Sequence, residues 1–278
     1  MRRMFRAVLG ALPAPMATRL HYLAHHRRLP NLRWPTRFSE KIIRRKLTDR
    51  DRRLPARADK VAVKEFVAQS LGPNWVTPTL WSGLTLPPRG ERDWPLPFVL
   101  KSNNGSGTNV FVRTEVELDW DVIEETCRDW LSGSHANWAG EWLYTQIEPR
   151  FLVEPYIGAL ARLPLDYKFF VFRGRVEFIE VDTDRQSDHK RTFFDRQWVR
   201  QDFALGYALD RREIARPSCL PAMISAAERL AEDLPFVRID FYEIGGAPIF
   251  GEMTFYPDAG IAKFAPDAYD LKFGSLWV

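Results

Sequence analysis

Cysteine is scarce in this sequence, and long hydrophobic runs are missing from it. Two cysteines, Cys127 and Cys219, among 278 residues cannot build a disulfide framework or a zinc cluster, which favours a reducing compartment. No run of about 18 apolar residues occurs, so the sequence predicts no transmembrane helix. Repeats, low-complexity tracts and Gly/Ser linkers are also missing. With 45% hydrophobic and 27% charged residues, the composition excludes collagen-like and disordered classes and suffices for one large domain or two small ones.

The beginning of the chain imitates a secretory signal, because basic residues precede an apolar stretch within residues 1–13. Pro13 and Pro15 interrupt that stretch, and no clean small-residue cleavage site follows. We therefore expect the segment to be retained, and we expect the protein in the cytoplasm.

Charge is distributed unevenly along the chain. Residues 1–60 hold 17 Lys/Arg and 4 Asp/Glu, whereas the remainder holds 23 (40 − 17) and 32 (36 − 4). A basic end on an acidic body favours an anionic partner, such as phospholipid at the inner membrane face or an acidic glycan. Nucleic acid is not expected, since the segment has no stacking platform and no known reader motif. A solvated arginine-rich helix is the simpler alternative.

Hydrophobic spacing predicts helices over residues 37–70, 118–131 and 220–234, and Gly72-Pro73 ends the first of them. Short β-branched and aromatic runs predict strands at residues 97–102, 109–113, 151–157, 167–172, 175–181, 236–242 and 248–252. Hairpins outnumber βαβ units in this order. The predicted fold class is therefore α+β with largely antiparallel sheets.

The first chemical motif is a glycine-rich turn between two predicted strands, KSNNGSGTN over residues 101–109. Small residues let backbone N–H groups approach an oxyanion closely, and Lys101 adds positive charge at the strand end. The turn is not a Walker loop, since the Gly-Lys-Ser/Thr ending and a following helix are missing, and it is not a Rossmann fingerprint. A mobile hairpin tip without a ligand explains the same residues.

The second motif is a hairpin around Gly245-Gly246. Because side chains alternate along a strand, Arg238 and Asp240 share one face of its first strand. Glu252 and Thr254 share one face of its second strand. Pairing across the turn would bring Asp240 beside Glu252, and two adjacent carboxylates repel unless a cation or proton intervenes. Oxygen ligands with little His or Cys nearby suit Mg²⁺; an exposed cross-strand network of arginine and carboxylates is the alternative.

The third motif is the Glu154-Pro155 pair near the end of the predicted strand over residues 151–157. Proline cannot continue a hydrogen-bonded ladder. A strand end with unpaired backbone groups and an acid could read an adenine edge and ribose hydroxyls. An edge strand with a surface glutamate is the simpler interpretation.

Seven sequence blocks, taken in order, resemble the TupA-like ATP-grasp family, which is found among bacterial surface-polysaccharide genes. The blocks are Phe38–Lys41, Ala58–Lys64, Phe98–Gly107, Asp166–Phe170, His189–Arg191, Phe236–Asp240 and Gly251–Phe255. The resemblance implies an ATP-grasp fold in which two α+β subdomains clasp ATP. Its implied divisions are a basic helical segment (residues 1–57), a subdomain with the glycine-rich lid loop (58–156) and a subdomain with the metal-binding carboxylates (157–278).

The resemblance also implies roles for individual residues. Nucleotide-binding roles fall to Lys60, Lys101, Asn104, Gly105, Ser106, Gly107, Glu154, Pro155, Tyr156, Ile157 and Lys168. Within that set, residues 104–107 correspond to the flexible lid over the phosphates, and residues 154–157 to the hinge that reads adenine. Arg238 and Lys101 correspond to the catalytic cations at the transferred phosphoryl group.

The ligands implied for Mg²⁺ are Asp240, Glu252 and Thr254, although many members of the superfamily place Asn at the last position. The residues implied for an anionic small-molecule or glycan acceptor are Arg185, His189, Lys190 and Arg191, with Lys168 close to them. A charged hairpin turn is the alternative interpretation of residues 189–191.

The implied activity is Mg²⁺- and ATP-dependent carboxylate–amine ligation through an acylphosphate, with a uronic acid as the carboxylate, in cell-surface polysaccharide synthesis. A kinase with the same ATP site is one alternative. A catalytically inactive glycan-binding or scaffold subunit at the membrane is another. Asp182-Thr-Asp184 is spelled like the Asp-x-Asp pair of glycosyltransferases, but its neighbours fit a turn at the acceptor side better.

Overall fold

A computed structural model describes residue 9 and residues 11–132, 140–160 and 163–277. The helices there are α1 (Ala14–His26), α2 (Phe38–Thr48), α3 (Arg53–Ala58), α4 (Ala62–Leu71), α5 (Trp120–Ser132), α6 (Trp142–Thr145), α7 (Leu220–Ala231) and α8 (Ala268–Leu276). Short 3₁₀ turns span Pro73–Trp75, Arg89–Glu91, Glu115–Glu117 and Pro257–Gly260. Most of the signal-like stretch lies outside the described residues. No helix in the described ranges is long and apolar enough to cross a bilayer.

The strands are β1 (Trp81–Gly83), β2 (Phe98–Ser102), β3 (Asn109–Val112), β4 (Phe151–Pro155), β5 (Asp166–Phe172), β6 (Arg175–Thr183), β7 (Lys190–Asp195), β8 (Arg200–Gln201), β9 (Ala204–Leu205), β10 (Phe236–Ile244), β11 (Ala247–Thr254) and β12 (Phe264–Ala265). They form a four-stranded sheet in the order β1-β4-β2-β3, a six-stranded sheet in the order β11-β10-β5-β6-β7-β8, and the small pair β12-β9. Every pairing of these strands is antiparallel. The predicted α+β class with largely antiparallel sheets is confirmed.

One face of the larger sheet is apolar toward one end and charged toward the other. Because side chains alternate along a strand, every second residue of the central strands lies on this face. Toward one end the face carries phenylalanines: Phe170, Phe178, Phe193 and Phe236. Toward the other end the same face carries ionisable residues: Lys168, Glu180, Asp182, Arg191, Arg238 and Asp240. A hydrophobic core and a charged floor therefore share one sheet face.

Two helices cover the phenylalanine end of that face. Phe273 of α8 stacks on Phe178 with the ring centroids 4.3 Å apart, and Phe38 of α2 lies edge-on to Phe236 at 4.9 Å.

Helix α7 contacts β5, β6 and β10 of the larger sheet and buries Leu220, Met223 and Leu230. Packing of this extent is the main source of stability in a domain of this size.

The smaller sheet has its own hydrophobic core. Phe98, Leu100, Phe151 and Val153 from its inner strands pack with Ile123 of α5. The strands of this sheet fall between residues 81 and 155, and those of the larger sheet between residues 166 and 254. The subdomain boundaries proposed from the sequence remain a prediction.

The helical stretch predicted over residues 37–70 is three helices rather than one. Aspartates at the two breaks bind the next turn of backbone: Asp51 Oδ1 accepts from Arg53 N at 2.9 Å, and Asp59 Oδ1 accepts from Val61 N at 2.8 Å. A side-chain acceptor at a helix start satisfies an otherwise unpaired N–H, so each aspartate starts a new helix. Gly72 ends α4 as predicted, with φ +105°.

The basic segment is packed into the fold through α2. The Arg45 guanidinium donates to Phe236 O at 2.6 Å, and Lys46 Nζ donates to Ala259 O at 3.0 Å. Lys46 is 1% exposed, and burial lowers its pKa to about 8. Asp258, Ala259 and Gly260 all have positive φ, at 48°, 54° and 72°. Left-handed backbone is costly for a residue with a side chain, so the contact from Lys46 stabilises a strained turn.

We predict that Gly274→Ala destabilises the protein by at least about 2 kcal/mol, because overpacking of a rigid backbone contact is costly. A Cβ at Gly274 would lie 2.0 Å from Thr36 O. Gly90→Ala is the matched control, since its Cβ would meet nothing within 4 Å. Urea unfolding at equilibrium measures both variants. Equal midpoints for the two would contradict the close approach of α8 to the chain before α2.

Candidate functional site

A cavity of about 1030 Å³ lies between the two sheets. The smaller sheet contributes residues such as Lys101 and Glu154, and the charged end of the larger sheet contributes its floor. Of the residues selected from the sequence, all line this cavity except Lys190. Lys190 is the first residue of β7, and side chains alternate along a strand, so its side chain lies on the opposite face from that of Arg191. Its Nζ pairs with Asp188 Oδ2 at 2.9 Å.

The paired carboxylates of the second motif lie at the centre of the floor. Asp240 and Glu252 are directly opposite in the β10–β11 register, and Arg238 is opposite Thr254. The Arg238 guanidinium donates to both oxygens of Asp240, each at 2.8 Å, and to Thr254 Oγ1 at 3.1 Å. Its distance to Glu252 Oε1 is 3.5 Å. The prediction from strand alternation that these side chains share one face is confirmed. The Arg238 guanidinium lies among the side-chain oxygens of Asp240, Glu252 and Thr254.

Two lysines complete the charge balance of the floor. Lys168 Nζ contacts Asp166 and donates to Asp240 Oδ2 at 2.9 Å. Burial disfavours its charge, yet Asp166 and Asp240 hold the pKa of Lys168 above its ordinary value. Lys60 Nζ lies 3.7 Å from Glu252 Oε2. Burial raises the pKa of Glu252, but Lys60 and Arg238 outweigh it and bring that pKa to about 2. Glu252 is therefore ionised at neutral pH, whereas burial raises the pKa of Asp240 against the opposing effect of Arg238 and Lys168.

Glu154 does not lie on an edge strand, so the simpler interpretation of the third motif was wrong. Strand β4 lies between β1 and β2, and Glu154 is 5% exposed. Its carboxylate binds Lys101 Nζ at 2.5 Å and also Lys64 Nζ. Burial alone raises the pKa of Glu154, but Lys101 and Lys64 reverse the effect and hold it below its ordinary value. The motif is a buried charge cluster at the cavity wall.

Two residues that support this wall were not selected from the sequence. Lys64 lies in the first turn of α4, four residues after Lys60, and that spacing in the sequence was the available signal. Asn103 is fully buried; its side-chain amide donates to Asp59 Oδ2 and to Glu148 O, each at 3.0 Å. Asn103 O in turn accepts from Lys60 N at 3.1 Å. Asn103 thereby ties the base of the glycine-rich turn to the start of α4.

The glycine-rich turn joins β2 to β3 as predicted. Gly105 O accepts from Lys60 Nζ at 2.6 Å, and a Cβ at Gly105 would lie 2.6 Å from Ser102 Oγ. Gly107 has φ +71°, a conformation that glycine adopts without strain. The turn therefore needs glycine at both positions, once for space and once for backbone conformation.

The hinge residues lie where β4 leaves the smaller sheet. Tyr156 N donates to Pro97 O at 2.9 Å, so this N–H is already paired. Val99, Phe111 and Ile157 line the adjoining part of the cavity, which offers apolar surface for a planar ring.

The cationic residues assigned to the acceptor all have carboxylate partners. Arg191 is 3% exposed and lies 2.9 Å from each of Glu180, Asp182 and Asp258. Arg185 donates to Asp166 at 3.0 Å. The expected anionic acceptor would therefore compete with carboxylates that already hold these cations.

Burial and the neighbouring Asp182 together raise the pKa of Glu180 to about 8 against the opposing effect of Arg191. His189 Nε2 lies 3.1 Å from Asp182 Oδ1, and the His189 ring lies against Tyr207 with centroids 3.9 Å apart. The acceptor end is thus a neutralised network rather than a patch of unpaired positive charge.

The donor set on the floor fits a hard divalent cation. Asp240 and Glu252 offer carboxylate oxygens, the ligands that Mg²⁺ prefers together with phosphate oxygens and water. No group of three or more His, Cys, Asp or Glu suited to a metal occurs in the described ranges, so a cation held here would depend on Asp240 and Glu252. The Thr254 hydroxyl is engaged by Arg238 and by Glu252 Oε1, the latter at 3.2 Å, which makes it a weaker candidate ligand.

Two antiparallel sheets that enclose a cavity with a glycine-rich turn on one side and paired carboxylates on the other define the class: this is an ATP-grasp protein. The profile of the family described as TupA-like ATPgrasp matches residues 40–278. The chain belongs to the TupA-like ATP-grasp family, as the seven sequence blocks indicated. No curated protein matches the chain.

Solved structures of low sequence identity resemble the chain. D-alanine–D-alanine ligase from Bacillus anthracis is 17% identical, over 80% of this chain and 65% of that chain, with a TM-score of 0.47. L-amino acid ligase from Bacillus licheniformis is 14% identical, over 91% of this chain and 51% of that chain, with a TM-score of 0.46. The match therefore spans less than two thirds of the length of either protein.

We predict that Glu154→Gln lowers the free energy of unfolding by about 1–3 kcal/mol at pH 7, because it leaves Lys64 and Lys101 without their buried partner. Since the pKa of Glu154 is depressed by folding, its contribution is present above the unfolded pKa of about 4.3 and is lost as the pH falls through the folded value. Urea unfolding of wild type and variant at pH 7 and at acid pH measures this. The two proteins should converge in acid.

Glu148→Gln is the control for that experiment, since Glu148 pairs with Arg150 at the surface and its side chain is 61% exposed. Its loss should cost less than about 1 kcal/mol. A Glu154→Gln variant as stable as this control at pH 7 would contradict the buried cluster.

Proposed function

We propose that this protein is a Mg²⁺- and ATP-dependent carboxylate–amine ligase that works through an acylphosphate. The observation that carries the proposal is the register of Asp240 opposite Glu252, with Arg238 between them, in a cavity whose far wall is the glycine-rich turn. Membership of the ATP-grasp class supports it.

The residues of the floor would position the phosphoryl donor. Asp240 and Glu252 would hold Mg²⁺, which neutralises phosphate charge when bound. Arg238 is fixed by two hydrogen bonds to Asp240, so its guanidinium is oriented before any ligand arrives. Phosphoryl transfer depends on alignment and charge neutralisation more than on covalent chemistry by the protein, and preorganised cations supply both.

The opposite wall would bind the rest of the nucleotide. Lys101 reaches the cavity from the strand before the glycine-rich turn, and Glu154 fixes its ammonium group at 2.5 Å. The turn itself presents backbone N–H groups to phosphate oxygens and can close over them, which excludes water from the reacting group. Lys60, already in contact with Gly105 O, links the turn to the floor.

The proposal for the substrates is more specific than the proposal for the reaction, and it rests on membership of the family. The carboxylate would be a uronic acid, its activated carboxyl group would be attacked by an amine, and the amide would belong to a cell-surface polysaccharide. A carboxylate oxygen attacks the γ-phosphorus of ATP, the bond from that phosphorus to the β,γ-bridging oxygen breaks, and ADP leaves with the electron pair. The amine nitrogen then attacks the acyl carbon, and phosphate leaves with the electron pair of the broken C–O bond. The nitrogen gives up one proton, which the released phosphate or solvent takes.

We predict that a non-hydrolysable ATP analogue binds the wild-type protein and that Mg²⁺ strengthens the binding at least about tenfold. Glu252→Gln should remove most of the Mg²⁺ effect, because one strong ligand is lost. Titration calorimetry measures both. Glu243→Gln is the matched control, since Glu243 lies on the same hairpin but binds Ser218 outside the cavity. No analogue binding by wild type would overturn the proposal.

We predict that ATP, Mg²⁺, glucuronate and hydroxylamine together yield ADP and a hydroxamate, since hydroxylamine traps an acylphosphate. Arg238→Lys should lower the rate by at least about a hundredfold, because a lysine cannot reproduce two parallel hydrogen bonds to Asp240. ADP with a stable phosphorylated product and no hydroxamate would instead identify a kinase.

A further inference from the structure

Helix α1 has one buried side and one exposed apolar side. The buried side carries Tyr22 and His26, whose rings stack with centroids 4.1 Å apart, and His26 is 9% exposed. The opposite side carries a stripe with helical spacing: Met16, Leu20 and Leu23, which are 51%, 40% and 38% exposed. Large apolar residues in such a stripe are more than the scattered exposure of an ordinary surface.

Two more large apolar residues are exposed in the chain that follows the helix. Leu29 is 66% exposed, and Trp34 is 71% exposed. Tryptophan has an apolar ring and one N–H donor, a combination favoured where hydrocarbon meets water. We call Met16, Leu20, Leu23, Leu29 and Trp34 the apolar stripe.

Unpaired positive charge accompanies the apolar stripe. Arg19 is exposed on α1, Arg27 is exposed directly after the last residue of α1, and the Arg33 guanidinium lies 5.9 Å from the Trp34 ring. These three arginines make no ion pair within the described part of the chain. Residues 11–48 contain one carboxylate, Glu40, which is buried and accepts from the backbone of residues 31, 36 and 37.

We infer that this face docks on an anionic lipid bilayer, with the apolar stripe inserted at the headgroup level and the three arginines among the lipid phosphates. An apolar stripe alone fits many partners. Combined with three exposed arginines that have no carboxylate partner among the described residues, it fits the interface of an anionic membrane, where both features contribute to binding. The charge distribution of the whole sequence agrees with this inference, since the basic charge is concentrated in residues 1–60.

The docking face is linked to the cavity by direct packing. Tyr22, on the inner side of α1, packs with Ile43 of α2 and with Ile261. Ile261 N donates to Asp258 O at 2.9 Å, and Asp258 and Ala259 line the acceptor end of the cavity. Docking through α1 would therefore fix the acceptor end relative to the bilayer, which suits an acceptor presented at a membrane surface. This last consequence rests on the proposed function; the docking itself does not.

The test is co-sedimentation of the full chain with vesicles of phosphatidylcholine, either pure or with about a third phosphatidylglycerol. We expect binding only to the anionic vesicles and a decrease at high salt. Leu20→Gln/Leu23→Gln and Arg19→Gln/Arg27→Gln should each weaken the partition about tenfold or more, because one removes the inserted surface and the other removes phosphate contacts.

Matched controls separate docking from a general change of surface. Val122→Gln/Leu131→Gln removes two residues of α5 that are 58% and 46% exposed, and it should bind vesicles as wild type does. Equal binding to pure phosphatidylcholine, no binding to either vesicle, or an unchanged partition in the stripe variant would overturn the inference. Sedimentation velocity gives a further test. If the wild-type protein were a dimer and Leu20→Gln/Leu23→Gln, but not the control variant, were a monomer, the apolar stripe would be a dimer interface and the inference would be overturned. Titration with the ATP analogue reports on the proposed function separately, so either idea can fail alone.

Discussion

The double hydrogen bond from Arg238 to Asp240 is the interaction on which the charged half of this molecule depends. Asp240 is 2% exposed, and a buried carboxylate without a partner is strongly destabilising. Lys168 supplies the second cation at 2.9 Å. With these partners in place, the buried Asp240 carboxylate can lie opposite Glu252 of the edge strand β11.

One face of the larger sheet forms both the hydrophobic core and the charged floor of the cavity. Strand alternation places phenylalanines and ionisable residues in the same rows, and helices α2 and α8 cover only the apolar end. At the charged end the cations and carboxylates form ion pairs with one another: Arg191 pairs with three carboxylates, and Lys168 pairs with two. This mutual pairing explains why the acceptor end offers little unpaired positive charge, despite the many cations that line it.

The basic N-terminal segment serves the fold and the surface with different residues. Arg45 and Lys46 are buried against the larger sheet and the left-handed turn at residues 258–260. Arg19 in α1 and Arg27 directly after it are exposed instead. A charge count treats these residues alike, but a buried lysine stabilises a backbone carbonyl, whereas an exposed arginine contributes to the field around the molecule.

The sequence by itself determined what local pattern and alternation can determine. It predicted most strands, the glycine-rich turn, the shared face of Arg238 and Asp240, and the ATP-grasp family, because side-chain period and motif order are written along the chain. Only the tertiary structure showed that Glu154 is buried, that Lys64 is its partner and that Asn103 connects the glycine-rich turn to the start of α4. Each depends on which distant strand or helix lies alongside, and that choice is made by packing over the whole molecule rather than by any local run of residues.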